Sequence, residues 1–233
     1  MGTSKGYIPP TSIPWKNAKH AVSALRKNPN SSELRQNAIA YYANARRNSF
    51  PSTTGGGTKA ARAISNLSGF LSASKNGTIN TYLREIGRTD LLGKSTAEIF
   101  QILLYDFTDN STTTEDRNLC YVITKVLDNL EIKVEEDFSH IAPEAFLLEF
   151  LAEYICGDFD FCFEEQLRKN VSTTEFDTII NNIHEFIRTT VYTQRDRISE
   201  KKLNYHDLRN ESFVQRLIID TYDLFCSLHT EEV

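Results

Sequence analysis

The chain has 233 residues, 40% of them hydrophobic and 24% charged, with a formal net charge of −5. That is enough for a sizeable core in one large or two small domains. No run approaches the roughly 20 apolar residues of a membrane span, and Pro9, Pro10 and Pro14 stand where the apolar stretch of a secretory signal would lie. A cytoplasmic protein with no membrane partner is therefore expected.

Residues 2–14 contain Gly6, three prolines and four Ser or Thr residues, which oppose regular hydrogen bonding and favour an extended tail. Near polyproline II geometry, about 3.1 Å per residue, such a tail reaches some tens of ångströms. Gly2 as penultimate residue suits removal of Met1, leaving an unhindered α-amine whose pKa of about 7.7–8.0 keeps part of it nucleophilic near pH 7. Pro14 fits a first helical turn, and Trp15 to Asn28 continues it with Ala18, Ala21, Val22 and Leu25 at helical spacing until Pro29. A second helix opens near Ser32 and carries Leu34, Ala38, Ile39, Tyr41, Tyr42 and Ala45. Phe50 to Thr58 reads as a glycine-rich break. A third helix, Lys59 to Ser74, sets Ala60, Ala63, Ile64, Leu67, Phe70 and Leu71 on one side.

The rest reads as helix almost throughout, in segments 79–86, 96–107, 114–130, 144–156, 161–169, 174–192 and 211–229. The clearest stripe is Phe176, Ile179, Ile180, Ile183, Phe186, Ile187 and Val191, close to a 3.6-residue period. Helix starts are expected at Thr113-x-x-Asp116, which approximates a capping box, and at Thr173. The predicted fold class is all-α, a multi-helix bundle-like body with an extended N-terminal tail. Its predicted parts are the tail 1–14, a basic helical segment 15–75 with a glycine-rich loop, and an acidic all-α domain 76–233.

The charge split supports that division. Residues 1–75 carry eleven Lys or Arg against one acid, Glu33, whereas the remainder carries 15 basic against 30 acidic side chains. Two readings stay open: a basic face for a partner such as nucleic acid, or a basic segment docked on its own acidic body. Arg46, Arg47, Lys59 and Arg62, with Tyr41, Tyr42 and Phe50 as stacking groups, are the candidate nucleic-acid contacts.

No pattern points to catalysis. Gly55-Gly56-Gly57-Thr58-Lys59 fails the P-loop spacing and follows a helix rather than a strand. The histidines at 20, 140, 184, 206 and 229 lack metal spacing, and His184, beside Asn181, Asn182 and Glu185, is expected to face solvent. Asp158 and Asp160 read as part of a helix-to-helix junction rather than an acid–base pair. Cys120, Cys156, Cys162 and Cys226 are expected as free thiols, with no metal or other cofactor. N-myristoylation wants Ser or Thr at position 6, where Gly6 stands. The expectation is a protein that is not an enzyme.

Met1-Gly2-Thr3-Ser4, the proline-rich stretch ending in Pro14-Trp15, the run Gly55 to Arg62 and the helix Phe146-Leu-Leu-Glu-Phe-Leu-Ala-Glu-Tyr-Ile155 together resemble the QatB family, associated proteins of the Qat anti-phage system. The resemblance spans most of the chain. It departs in a shorter, less glycine-rich tail and in Cys156-Gly157 after the Tyr-Ile pair. It implies a non-enzymatic component of a bacterial defence system whose companions are an ATPase, a QueC-like enzyme and a TatD-like nuclease. It further implies that the QueC-like enzyme joins a 7-deazaguanine carboxylate to Gly2, with Thr3, Ser4, Pro14 and Trp15 in partner recognition. The alternative is a nucleic-acid-binding accessory module using the basic N-terminal third.

Overall fold

A computed structural model describes residues 10–49, 56–108, 114–132, 138, 141–195 and 211–228. All regular structure among them is helical: α1 Ile13–Lys27, α2 Ser32–Ser49, α3 Gly56–Lys75, α4 Ile79–Glu85, a 3₁₀ turn Thr89–Leu91, α5 Thr96–Thr108, α6 Thr114–Asn129, α7 Pro143–Arg168, α8 Thr173–Tyr192 and α9 Glu211–Ser227. The all-α expectation holds.

The described residues fall into two compact units. One draws on Met1–Thr53, Ile155–Thr190 and Ile218–Val233, the other on Thr54–Tyr154 and Val191–Leu217. This division follows a different line from the charge boundary at residue 75.

In the first unit α1 and α2 form an antiparallel hairpin. Asn28 ends α1 by donating its N–H to the Leu25 carbonyl at 3.1 Å, and Ser31 Oγ opens α2 by accepting the Leu34 N–H at 3.2 Å. Small residues of both helices, Ala18, Ala38 and Ala45, are buried. Trp15, Val22, Leu25, Ile39 and Tyr42 complete the hairpin's apolar side. The unit's share of α7 brings Phe159 and Phe163, whose rings meet Tyr42 edge-on at 5.3 and 6.1 Å. Gln166 fastens α7 to α1 by donating to the Lys19 carbonyl at 2.7 Å and to Ser23 Oγ at 2.8 Å, while Arg26 donates to the Gln166 carbonyl at 3.1 Å. Phe176, Ile179, Ile183 and Ile187 of α8 are buried, as their period requires.

The second unit is built on α3, which is buried along nearly its whole length. It starts at Gly56, three residues earlier than predicted, so the end of the expected glycine-rich break is its first turn. Its end is set by Gly77 at φ +66°. There the Thr78 N–H reaches the Ala73 carbonyl at 2.8 Å and the Gly77 N–H reaches Ser74 at 3.1 Å, a Schellman stop that uses glycine's access to left-handed backbone. Phe70, Phe100 and Phe138 form an aromatic cluster, with Phe70 stacked on Phe100 at 5.5 Å and Phe100 to Phe138 at 4.4 Å.

α6 and α8 start at Thr114 and Thr173, where the sequence placed helix starts, and two capping boxes not singled out from the sequence are present. The reciprocal capping boxes are Ser95-x-x-Glu98 and Ser172-x-x-Glu175: each serine N–H donates to the glutamate carboxylate, at 2.9 and 2.8 Å, and each glutamate N–H to the serine hydroxyl, at 3.3 and 3.2 Å. Thr113 lies outside the described residues, and the Asp116 carboxylate accepts from Lys59.

One expectation about α7 is corrected. The segments predicted over 144–156 and 161–169 form one helix that runs through Gly157-Asp158-Phe159-Asp160, so these residues are no junction. Glycine inside a helix costs about 1 kcal/mol relative to alanine. Here burial of Ile155, Phe159 and Phe163 on either side of Gly157 outweighs that cost. Phe146, Leu147, Leu148, Phe150, Leu151 and Ala152 are buried on every side of the helix, the pattern of a helix enclosed by others.

Candidate functional site

The site is the root of the N-terminal tail and what holds it. Ser12 is extended (φ −61°, ψ 161°) and its carbonyl accepts the first helical bond from the Lys16 N–H at 3.0 Å. Lys19 Nζ donates to the Pro10 carbonyl at 3.3 Å, laying the last tail residues along α1. Pro14 is half-buried and Ile13 beside it is 73% exposed.

Trp15 is the anchor. Its indole is fully buried, and its Nε1–H donates to Ser49 Oγ at 3.0 Å; that hydroxyl donates in turn to the Ala45 carbonyl at 2.8 Å. The ring lies tilted on Phe163 at 6.2 Å, with the Arg46 guanidinium 5.8 Å from its centre. The start of α1 is thus fixed to the end of α2, and residues 10–12 leave from a defined point. Trp15, assigned to partner recognition by resemblance, faces the interior and acts on the tail by fixing its root. Gly2, Thr3 and Ser4 lie outside the described residues, as do Phe50 and Gly55 of the glycine-rich run and His140, His206 and His229.

Behind the root is a buried polar centre. Asp158 of α7 accepts the Tyr42 hydroxyl and both Nε and Nη2 of Arg46, a bidentate guanidinium–carboxylate pair. The Tyr222 hydroxyl is 3.5 Å from that of Tyr42. Burial raises the Tyr42 phenol well above its ordinary value, with Tyr222 adding to the shift. One turn along α7, burial pushes the Cys162 thiol up to about 11 against the pull of Arg46, so it stays protonated at neutral pH and is a poor nucleophile. All four cysteines are free thiols.

His184, expected to face solvent, instead has its Nε2 2.9 Å from Asp160 Oδ1, with only 17% of its side chain exposed. Burial raises the Asp160 carboxyl above its usual range, and the bond to His184 holds that rise back. Asp158 and Asp160 point to different partners and form no carboxylate pair. Among the described residues no group of three or more His, Cys, Asp or Glu is placed to hold a metal ion.

The candidate basic contacts are largely engaged within the protein. Arg46 pairs with Asp158, Arg47 with Asp223 at 2.6 Å, and Lys59 with Asp116, while Arg62 is exposed on α3. The three acids all come from the acidic part of the chain. Of the two readings of the charge split, internal docking accounts for these three cations. The sequence gives no signal for the Tyr42–Asp158–Tyr222 centre or the Asp160–His184 pair, because the partners are 116, 180 and 24 residues apart.

The sequence model of one family, described as Qat anti-phage system associated protein QatB, matches residues 52–225. No curated protein and no solved structure matches the chain. Among the described residues no helix is long and apolar enough to cross a membrane.

Proposed function

The chain belongs to the QatB family and so is a component of an anti-phage system that works with other components of that system; from this premise we propose that it is the protein substrate and scaffold of the system, acted on at Gly2. The observation that carries the proposal is the tail root: the buried Trp15–Ser49 bond fixes the point from which the tail leaves the helical body. A ten-residue segment in polyproline II geometry, the geometry expected from the sequence between Gly2 and Ser12, would span about 30 Å, enough to carry an amine into an enclosed active centre.

The proposed acceptor is the glycyl α-amine exposed once Met1 is removed. Its lone pair attacks the carbonyl of a 7-deazaguanine carboxylate activated as an acyl-adenylate by a QueC-like enzyme. The amide C–N bond forms, the acyl C–O bond to AMP breaks, AMP leaves with the electron pair, and the amine gives up a proton. Glycine suits this role because a Cβ would crowd the attack. Thr3, Ser4 and Pro14 are the proposed recognition contacts along the tail, and the system's ATPase and TatD-like nuclease are proposed further partners. The body takes no chemical part: Cys162 is held as a thiol, and Asp158 is occupied by Arg46 and Tyr42.

Co-expression with the QueC-like enzyme tests the proposal. Intact mass spectrometry is expected to find the deazaguanine acyl group on the chain lacking Met1, and fragmentation to place it on Gly2. An unmodified glycine in the presence of active enzyme would refute it. Gly2→Pro is expected to abolish the adduct and leave the helical signal unchanged. The nucleic-acid alternative is weakened by the loss of Arg46, Arg47 and Lys59 to internal acids, since phosphate binding draws on cations free to release counterions.

A further inference from the structure

One group of cations without a partner among the described residues lies on α1. At 100° per residue Ile13, Lys16, His20 and Lys27 fall within an arc of about 60°, opposite the buried Trp15, Ala18, Val22 and Leu25. All four are exposed, Ile13 at 73%. The side chains of Lys16, His20 and Lys27 have no hydrogen-bond or ion-pair partner among the described residues, and α1 itself contains no acidic residue. The stripe runs about 21 Å from Ile13 to Lys27, and it begins at the first residue of α1, at the tail root.

From this arrangement we propose that the outward face of α1 docks an acidic protein surface next to the active centre that receives the tail. The inference rests on the conjugation reading for the identity of that protein. Three observations select a protein partner over a nucleic acid. A large exposed apolar side chain flanked by cations matches the apolar core and polar rim of a protein interface. Two lysines, Lys16 and Lys27, fall short of the roughly 6–10 phosphate contacts on which strong backbone binding depends. The stripe is continuous with the tail root, so a protein holding α1 finds the tail already directed along its own surface. Docking then raises the effective concentration of the α-amine at the active centre, which the tail's own few contacts would do poorly.

The test measures binding of the full chain to the QueC-like enzyme by biolayer interferometry, for wild type, Lys16→Glu/Lys27→Glu, Gly2→Pro and the control Lys75→Glu. Folding of each variant is checked by circular dichroism and Trp15 fluorescence. The double reversal is expected to weaken binding about tenfold or more at low salt, mainly through slower association, and the difference is expected to shrink at about 0.5 M salt. Lys75→Glu and Gly2→Pro are expected to bind within about twofold of wild type. Absent binding by wild type, an unchanged affinity of the double reversal, or complete loss on Gly2→Pro would each overturn the proposal. So would a double reversal that loses affinity for a 20-base-pair DNA duplex and keeps it for the enzyme. Charge-sensitive binding without any mass adduct on Gly2 would uphold the docking face and refute the conjugation reading.

Discussion

Breaking the Arg46–Asp158 pair from either side should have unequal consequences, and the inequality follows from burial. The Asp158 side chain is 5% exposed and that of Arg46 is 23% exposed. Arg46→Met leaves a carboxylate enclosed with, among the described residues, the Tyr42 hydroxyl as its remaining donor, the circumstance in which removing one partner of a buried pair costs about 3–5 kcal/mol. Asp158→Asn leaves the guanidinium, which swings toward water on its apolar stem, so the loss is that of charge-assisted hydrogen bonds, about 1.5–3 kcal/mol. The double variant removes both charges, and its cost is expected to fall short of the sum by about 1–3 kcal/mol. Urea unfolding followed at the chain's one tryptophan reads this in the unit concerned, because Trp15 sits in the same cluster. A larger loss for Asp158→Asn than for Arg46→Met, or additivity to within about 0.5 kcal/mol, would refute the reasoning.

Cys162, with its thiol pushed up to about 11, is expected to resist iodoacetamide at pH 8 in the folded protein and to react fully in guanidinium, as read by peptide mapping. Because its folded pKa lies above the ordinary value near 9, the unfolded chain releases this proton first; stability is expected to fall as pH rises from about 9 to 11, and a flat alkaline profile would contradict it. Glu131 sits at φ 53° in a Schellman turn where the Ile132 N–H reaches Leu127 at 2.8 Å. Glu131→Gly should therefore stabilise by about 1 kcal/mol, whereas Gly77→Ala, at φ +66°, should destabilise by a similar amount in urea titrations. A variant at the tail root, Trp15→Phe, loses the bond to Ser49, whose hydroxyl keeps its donation to the Ala45 carbonyl, and should cost about 1 kcal/mol for the lost hydrogen bond, with thermal unfolding as the measurement.

Local periodicity made the helices legible. Phe176, Ile179, Ile183, Ile187 and Val191 are buried as their spacing requires, and so are Val214, Leu217, Ile218, Tyr222 and Phe225. Where several signals compete within a few residues the reading failed. Gly157 with two nearby aspartates resembles a turn, and only the burial of the surrounding phenylalanines, set by distant segments, keeps α7 continuous. The capping boxes at Ser95 and Ser172 are hard to single out from sequence, because hydroxyl residues crowd each start and the reciprocal glutamate decides among them. The charge split suggested that basic and acidic parts meet, but not which side chains do so, since Arg46 and Asp158 are 112 residues apart. The site itself was legible only as a tail; the clamp beneath it depends on Trp15 meeting Ser49 across the hairpin.

The order in which the chain is made sets a timetable for that clamp. The α1–α2 hairpin belongs to a unit whose next contribution starts at Ile155, and the intervening stretch from Thr54 to Tyr154 belongs to the other unit. At about 5–20 residues per second, translation of that stretch takes about 5–20 s. During this interval Trp15 and Tyr42 are on the ribosome without Phe159 and Phe163 to cover them, and Arg46 is without its carboxylate. Closing so long a loop carries an entropic cost that slows folding. The Trp15–Ser49 bond lies within the hairpin made first, but its burial under α7 is among the last events in the making of this protein, and the tail root spends its first seconds on an uncovered hairpin.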